Sequence, residues 1–224
     1  MSEFRRRLMM QVASDPNALP VGCVRLEYIE GTGTQYIDTE KVVYANEDIY
    51  MDFQIVTYLT NIVPYGWRWK GFHQNHYQCY LNSYLNANIS LMYGQSSAAP
   101  LMYPAANKYT RNTIFISPNK KVVALNGIVQ TTNYDKSFQS AYDGSRGSVY
   151  PPAIMNINIL GSIPNTTYAP MRLYEYSLTD SEGNYTQHLI PILDPNGIPC
   201  MYDTVAKKFH YNKGADTFLY KIAE

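Results

Sequence analysis

Charge is scarce in this 224-residue chain: only 16% of residues are charged, and eighteen basic side chains face eighteen acidic ones. Nucleic-acid binders neutralise phosphates with a surplus of Lys and Arg, and a balanced chain has none to offer. Cysteine is scarce too. Cys23, Cys79 and Cys200 are an odd number, far apart in sequence, which excludes a disulfide framework and fits small buried thiols in a reducing compartment. No apolar run approaches the roughly 18 residues that a membrane-spanning helix requires. The apolar stretch after Arg5, Arg6 and Arg7 begins at Leu8 and is broken by Gln11, Ser14 and Asp15. That is short of the roughly 7–15 residues of a secretory core, so no leader and no membrane partner are expected. Tryptophan is nearly absent as well, with two residues against seven Phe.

What the chain has in quantity is tyrosine, 22 residues, within an overall hydrophobic content of 46%. That apolar content is enough to form a core, which excludes a disordered chain. Tyrosine supplies contact area at low entropic cost and tolerates water, so the composition favours a binding or assembly module over an enzyme.

Residues 1–20 form a separate N-terminal arm. Ser2 can cap a short helix with Phe4, Leu8 and Val12 at helical spacing, ended by Pro16 and Pro20. A frayed tail is the alternative. Residues 21–224 read as strands and turns. Ile49, Met51, Phe53 and Ile55 alternate with Tyr50, Asp52 and Gln54, the period of a half-buried strand. Asn126-Gly127, between Val122–Leu125 and Ile128–Thr132, is a strong hairpin signal, because its turn needs positive φ at both central residues. Further strands are expected at Ile154–Leu160, Met171–Leu178, Gln187–Leu193, Lys208–Tyr211 and Phe218–Tyr220, and a long loop at Gly94–Asn107. So many short strands imply an all-β fold of two packed antiparallel sheets, a sandwich or jelly roll.

Several blocks carry a family likeness. Arg25-Leu-Glu-Tyr-Ile-Glu30 with Gly31-Thr-Gly-Thr-Gln-Tyr-Ile-Asp-Thr39 resembles the opening of a concanavalin A-like, laminin-G-like domain. Arg172-Leu-Tyr-Glu-Tyr176, the run from Leu189 through Asp194-Pro-Asn-Gly197 to Asp203, and Lys208-Phe-His-Tyr-Asn212 with Gly214 resemble its C-terminal part. The resemblance implies a jelly-roll sandwich of the type found in phage virion and gut-bacterial surface proteins.

Catalytic signals are weak. Hydrolytic relatives of the fold place three carboxylates on one strand face, whereas Asp48 and Asp52 share a face without a third, and Glu47 points the other way. His73-Gln-Asn-His76-Tyr-Gln-Cys79 has metal-like spacing, but on a strand residues 73 and 76 face opposite sides and no second cluster accompanies them beyond the lone His188, Cys200 and His210. Asp194-Pro-Asn-Gly197 could offer oxygens to calcium and equally is a turn; the turn is the reading adopted. No metal, cofactor or catalytic residue is therefore expected. The stretch from Tyr65 to Tyr84 mixes rings with amides, and Trp67, Trp69, His73, His76, Tyr77 and Tyr80 are the expected glycan- or partner-binding residues. Arg5, Arg6, Arg7 and Leu8 are the expected anchor.

The resulting expectation is a non-enzymatic phage virion structural protein (head fibre, capsid decoration or tail appendage). It would be made in the host bacterial cytoplasm and work as an oligomer with other virion proteins, with possible adhesion to cell-surface glycan. A bacterial surface glycan-binding module is the alternative, and a divergent glycoside hydrolase a weaker one.

Overall fold

The computed structural model describes residues 18–44, 46–57, 62–68, 76–82, 88–94, 101–103, 109–117, 120, 122–131, 151–159, 161–164 and 168–224, without the side chains of 67, 68, 76–82, 88–94, 101–103, 130 and 131. The expected anchor residues Arg5, Arg6, Arg7 and Leu8 lie outside them, as do Trp69 and His73. The described residues contain no helix.

In chain order the strands are Val24–Gly31 (β1), Ile37–Asp38 (β2), Asp48–Ile55 (β3), Tyr65–Arg68 (β4), His76–Asn82 (β5), Asn88–Gly94 (β6), Leu101–Tyr103 (β7), Arg111–Ser117 (β8) and Val122–Leu125 (β9). They continue as Ile128–Thr131 (β10), Ala153–Ile154 (β11), Asn158–Ile159 (β12), Met171–Thr179 (β13), Tyr185–Leu193 (β14), Pro199–Asp203 (β15), Lys208–His210 (β16) and Leu219–Ile222 (β17). They form two sheets. A 10-stranded sheet runs β10-β9-β8-β3-β13-β1-β14-β15-β16, with β17 on β1. A 7-stranded sheet runs β2-β11-β4-β5-β6-β7, with β12 on β4. Every pairing is antiparallel except β12 with β4. The architecture is an all-β, two-sheet antiparallel jelly-roll sandwich.

The core lies between the sheets. Ile49, Met51, Phe53 and Ile55 of β3, Ile114 and Ile116 of β8, and Leu173, Tyr176 and Leu178 of β13 are buried from the larger sheet. Ile37, Tyr65 and Ile154 meet them from the smaller one. The hydroxyls of Tyr65 and Tyr176 hydrogen-bond across the layers at 3.2 Å. The β9–β10 hairpin turns through Asn126 (φ 51°) and Gly127 (φ 74°), and the Asn126 side chain accepts from Thr113 N at 2.8 Å.

Three stretches differ from the sequence reading, each for a local reason. Ile154–Leu160 is two short strands, because Met155 turns left-handed (φ 67°) and buried Asn156 bonds the backbone at Ile157 and Pro164. The expected loop Gly94–Asn107 contains β7, whose Leu101-Met-Tyr103 pairs with β6. β15 escaped detection because all five residues are buried, which erases the period-two pattern. Met201 faces the main core, while Cys200 and Tyr202 join a second cluster on the outer side with Ile190, Ile192, Leu19, Cys23 and Phe209.

Candidate functional site on the outer face of the larger sheet

β-Bulges place the polar side chains of this face. In β13, Leu173 pairs with Phe53 and Glu175 with Asp52, so Tyr174 is an extra residue that reverses the alternation. Leu173 and Tyr176 stay in the core, and Arg172, Tyr174 and Glu175 all come to the outer side, as bulges commonly re-aim side chains. In β14, Gln187 pairs with Leu178 and Tyr185 with Thr179, leaving Thr186 extra. Tyr185 and His188, three apart, therefore share the outer face. Their rings stack with centroids 4.3 Å apart and planes 7° from parallel.

His188 is held at both nitrogens. Nε2 lies 3.0 Å from Glu175 Oε1, and Nδ1 lies 2.9 Å from Thr204 Oγ1. An ionised carboxylate only accepts, so Nε2 carries the hydrogen toward Glu175, while Nδ1 lies within hydrogen-bond reach of the Thr204 hydroxyl. The His188 bond, opposed by burial, holds Glu175 below the usual carboxylate range. Alongside, Arg111 grips Asp52 with two bonds of 2.8 and 2.7 Å and sits 3.9 Å from the Tyr174 ring centre. Arg172 donates to Glu30 at 2.6 Å and lies 4.6 Å above the Tyr28 ring, and Tyr28 meets Tyr174 edge-on at 5.5 Å. Their carboxylate partners raise both arginines above the ordinary value.

At one end of this face β1 enters between β13 and β14, and Arg25 pairs with Ile192. There a cleft of about 400 Å³ is lined by Leu19, Arg25, His188, Ile190 and Thr204. Leu19 belongs to the segment that packs on the outer cluster, so the chain leading into β1 supplies a wall. The cleft combines apolar walls, an exposed ring beside it and several convergent polar groups, the usual composition of a small-ligand site.

The carboxylates singled out in the sequence have separate uses. Glu47 is buried and accepts from Lys41 Nζ at 2.5 Å, Tyr44 N at 2.8 Å and the Thr186 hydroxyl. Asp48 pairs with Lys120 at 2.8 Å. The carboxylate facing Asp52 comes from another strand, as Glu175. Asp194 caps its own turn, accepting from Asn196 N and Ile198 N at 2.9 and 2.8 Å and from the Tyr211 hydroxyl at 3.0 Å. Among the described residues no three His, Cys, Asp or Glu side chains gather as a metal site.

Of the expected ring platform, Trp67 is the register partner of Tyr77, and His76 that of Arg68. Alternation puts positions 67 and 77 on one face of the smaller sheet and positions 76 and 80 on the other. The outer-face site was not foreseen: Arg25, Glu175 and Ile190 sit in the family-like blocks, whereas Tyr185, His188 and Thr204 lie just outside them. The available signal was the break in alternation at Tyr174-Glu175.

No family model matches the chain, and no curated protein matches it. Among solved structures it is similar to NanB plus Optactamide (15% identity, TM-score 0.46), covering 69% of this chain and 26% of that one. The chain thus spans about a quarter of NanB's length. It is also similar to the Ruminococcus gnavus IT-sialidase CBM40, at 15% identity and TM-score 0.43, over 66% of this chain and 89% of that one. A third is the native heptameric SAP-like pentraxin from Limulus polyphemus, at 8% identity and TM-score 0.48, over 92% and 98%. The likeness is one of fold alone.

Proposed function

We propose that this chain is a non-enzymatic, glycan-binding β-sandwich that recognises its ligand on the outer face of the larger sheet. The observation that carries this is the Tyr185–His188 stack beside the cleft, fixed from behind by Glu175 and Thr204. Tyr185 is 49% exposed, so a ring face is open to the CH face of a sugar while preorganised donors and acceptors stand next to it.

The non-enzymatic part is supported by the state of the carboxylates. Glycoside hydrolysis needs one carboxyl held protonated, with its pKa raised, and a second carboxylate near it. Asp52 and Glu175 are cross-strand register partners, yet Asp52 is ion-paired with Arg111 and Glu175 is pushed down, not up. Neither is set up as a proton donor.

The expected outcome is binding to a subset of glycans on an array, weakened about tenfold in Tyr185→Ala, the loss of roughly 1.4 kcal/mol of stacking. Absence of binding across the array would sink the reading.

The carrier proposed is a phage particle, with residues 5–8 as the anchor to other virion proteins and the sandwich present in several copies, so that weak sites add through avidity. The sequence resemblance and the basic arm support it. Deleting residues 1–17 should then leave a folded sandwich that no longer co-purifies with particles; undiminished incorporation would remove the arm as the anchor, and absence of the full chain from purified particles would remove the phage reading and leave a bacterial surface module.

A further inference from the structure

We propose that the cleft takes a carboxylate-bearing sugar, with Arg25 as the group that grips the carboxylate. This rests on the glycan reading above and names the ligand class for that site.

Among the described residues the outer face carries three arginines, and two are committed. Arg111 is locked to Asp52 and Arg172 to Glu30. Arg25 makes no ion pair or side-chain hydrogen bond among the described residues, yet it lines the cleft. The carboxylate whose field reaches it is Glu175, and that group is already bonded to His188 Nε2 at 3.0 Å. The guanidinium lines the cleft exposed on its strand, with no ion-pair partner among the described residues. A bound carboxylate would supply the missing partner, because the planar fork of Arg matches a carboxylate in a bidentate bond.

The remaining walls select among anions. Leu19 and Ile190 present hydrocarbon, while Thr204 and His188 present polar atoms. A small inorganic anion would satisfy Arg25 but leave the apolar wall uncovered. A sugar acid has both parts: a ring with a CH face for Leu19 and Ile190, and hydroxyls and a carboxylate for the polar side. The cleft, about 400 Å³, falls within the range of about 300–1,000 Å³ usual for small-ligand sites.

The test uses the full chain and an array holding tetragalacturonate, tetraglucuronate and sialyllactose, each beside its carboxyl methyl ester, together with neutral oligosaccharides. At least one acid should bind, and its ester, which keeps the shape and removes the charge, should bind about ten- to a hundredfold more weakly, the size of a lost charge-assisted bond. Arg25→Gln should lose the same factor for the acid and nothing for the ester, at unchanged thermal stability, since the side chain is exposed on its strand. Arg25→Lys, a point charge without the fork, should fall between. Equal binding of acid and ester, or binding confined to neutral oligosaccharides, overturns this inference and leaves the glycan reading standing. Binding to nothing overturns both.

Discussion

Gly214→Ala should destabilise the sandwich by about 3–5 kcal/mol and lower its melting temperature by roughly 10 °C. A Cβ at this position would stand 1.9 Å from Thr34 O and 2.9 Å from Thr34 C, both backbone atoms that cannot swing aside as a side-chain tip can. The approach is close because the loop after β16 docks on the chain before β2. Ala215 N donates to Thr34 O at 3.1 Å, Gly214 N to Asn212 Oδ1 at 2.8 Å, and Asn212 Oδ1 also accepts from Tyr36 N at 3.1 Å. A methyl group there separates the two segments and breaks these bonds together. Gly127→Ala is the matched control. Its φ of +74° is strained for alanine, but nothing lies within 4 Å of the added carbon, so only the conformational cost of about 1–2 kcal/mol should appear. Thermal melts of the two variants side by side check the claim, and equal losses would show that contact with Thr34 is not the cause.

Glu47→Ala should cost about 2–4 kcal/mol, a fall of roughly 5–15 °C in melting temperature. The Glu47 side chain is 4% exposed and gathers three donors from different parts of the chain: Lys41, the Tyr44 amide and the Thr186 hydroxyl. Truncation leaves a half-buried ammonium and an amide facing a void, and the cost comes from those orphaned partners more than from the lost attraction. Because Thr186 is the extra residue of the β14 bulge, removal of Glu47 also loosens the element that brings Tyr185 and His188 to one face. Denaturant or thermal unfolding of Glu47→Ala and Glu47→Gln measures the effect. The glutamine, which keeps an acceptor, should lose about half as much; a wild-type melting curve for the alanine variant would contradict the account.

The fold was legible where one face of a strand is dry and the other wet. β3 reads directly from Ile49, Met51, Phe53 and Ile55, and the β9–β10 hairpin from Asn126-Gly127. β15 was not legible, since burial on both sides removes the contrast that periodicity detects. The candidate site was hidden for a related reason. Strict alternation from Met171 would put Glu175 into the core, and alternation from Tyr185 would put His188 on the opposite side from that ring. One extra residue in each strand corrects both placements, and single-residue register shifts leave almost no mark in composition. Rings and amides are conspicuous in a sequence and drew attention to Tyr65–Tyr84, whereas Arg25, Glu175 and His188 are ordinary until strands from distant parts of the chain lie side by side.

The small outer cluster of Ile190, Ile192, Cys200, Tyr202, Leu19, Cys23 and Phe209 stands apart from the main core. The segment that carries Leu19 and Cys23 is held there by those two half-buried side chains, its own turn closed by a bond from Cys23 N to Pro20 O at 3.1 Å. Such a segment can lift in a local opening far less costly than unfolding the sandwich. The cleft then loses its Leu19 wall while Arg25, His188 and Thr204 keep their places, so the resistance of this short strap to peeling sets how long an occupant stays enclosed.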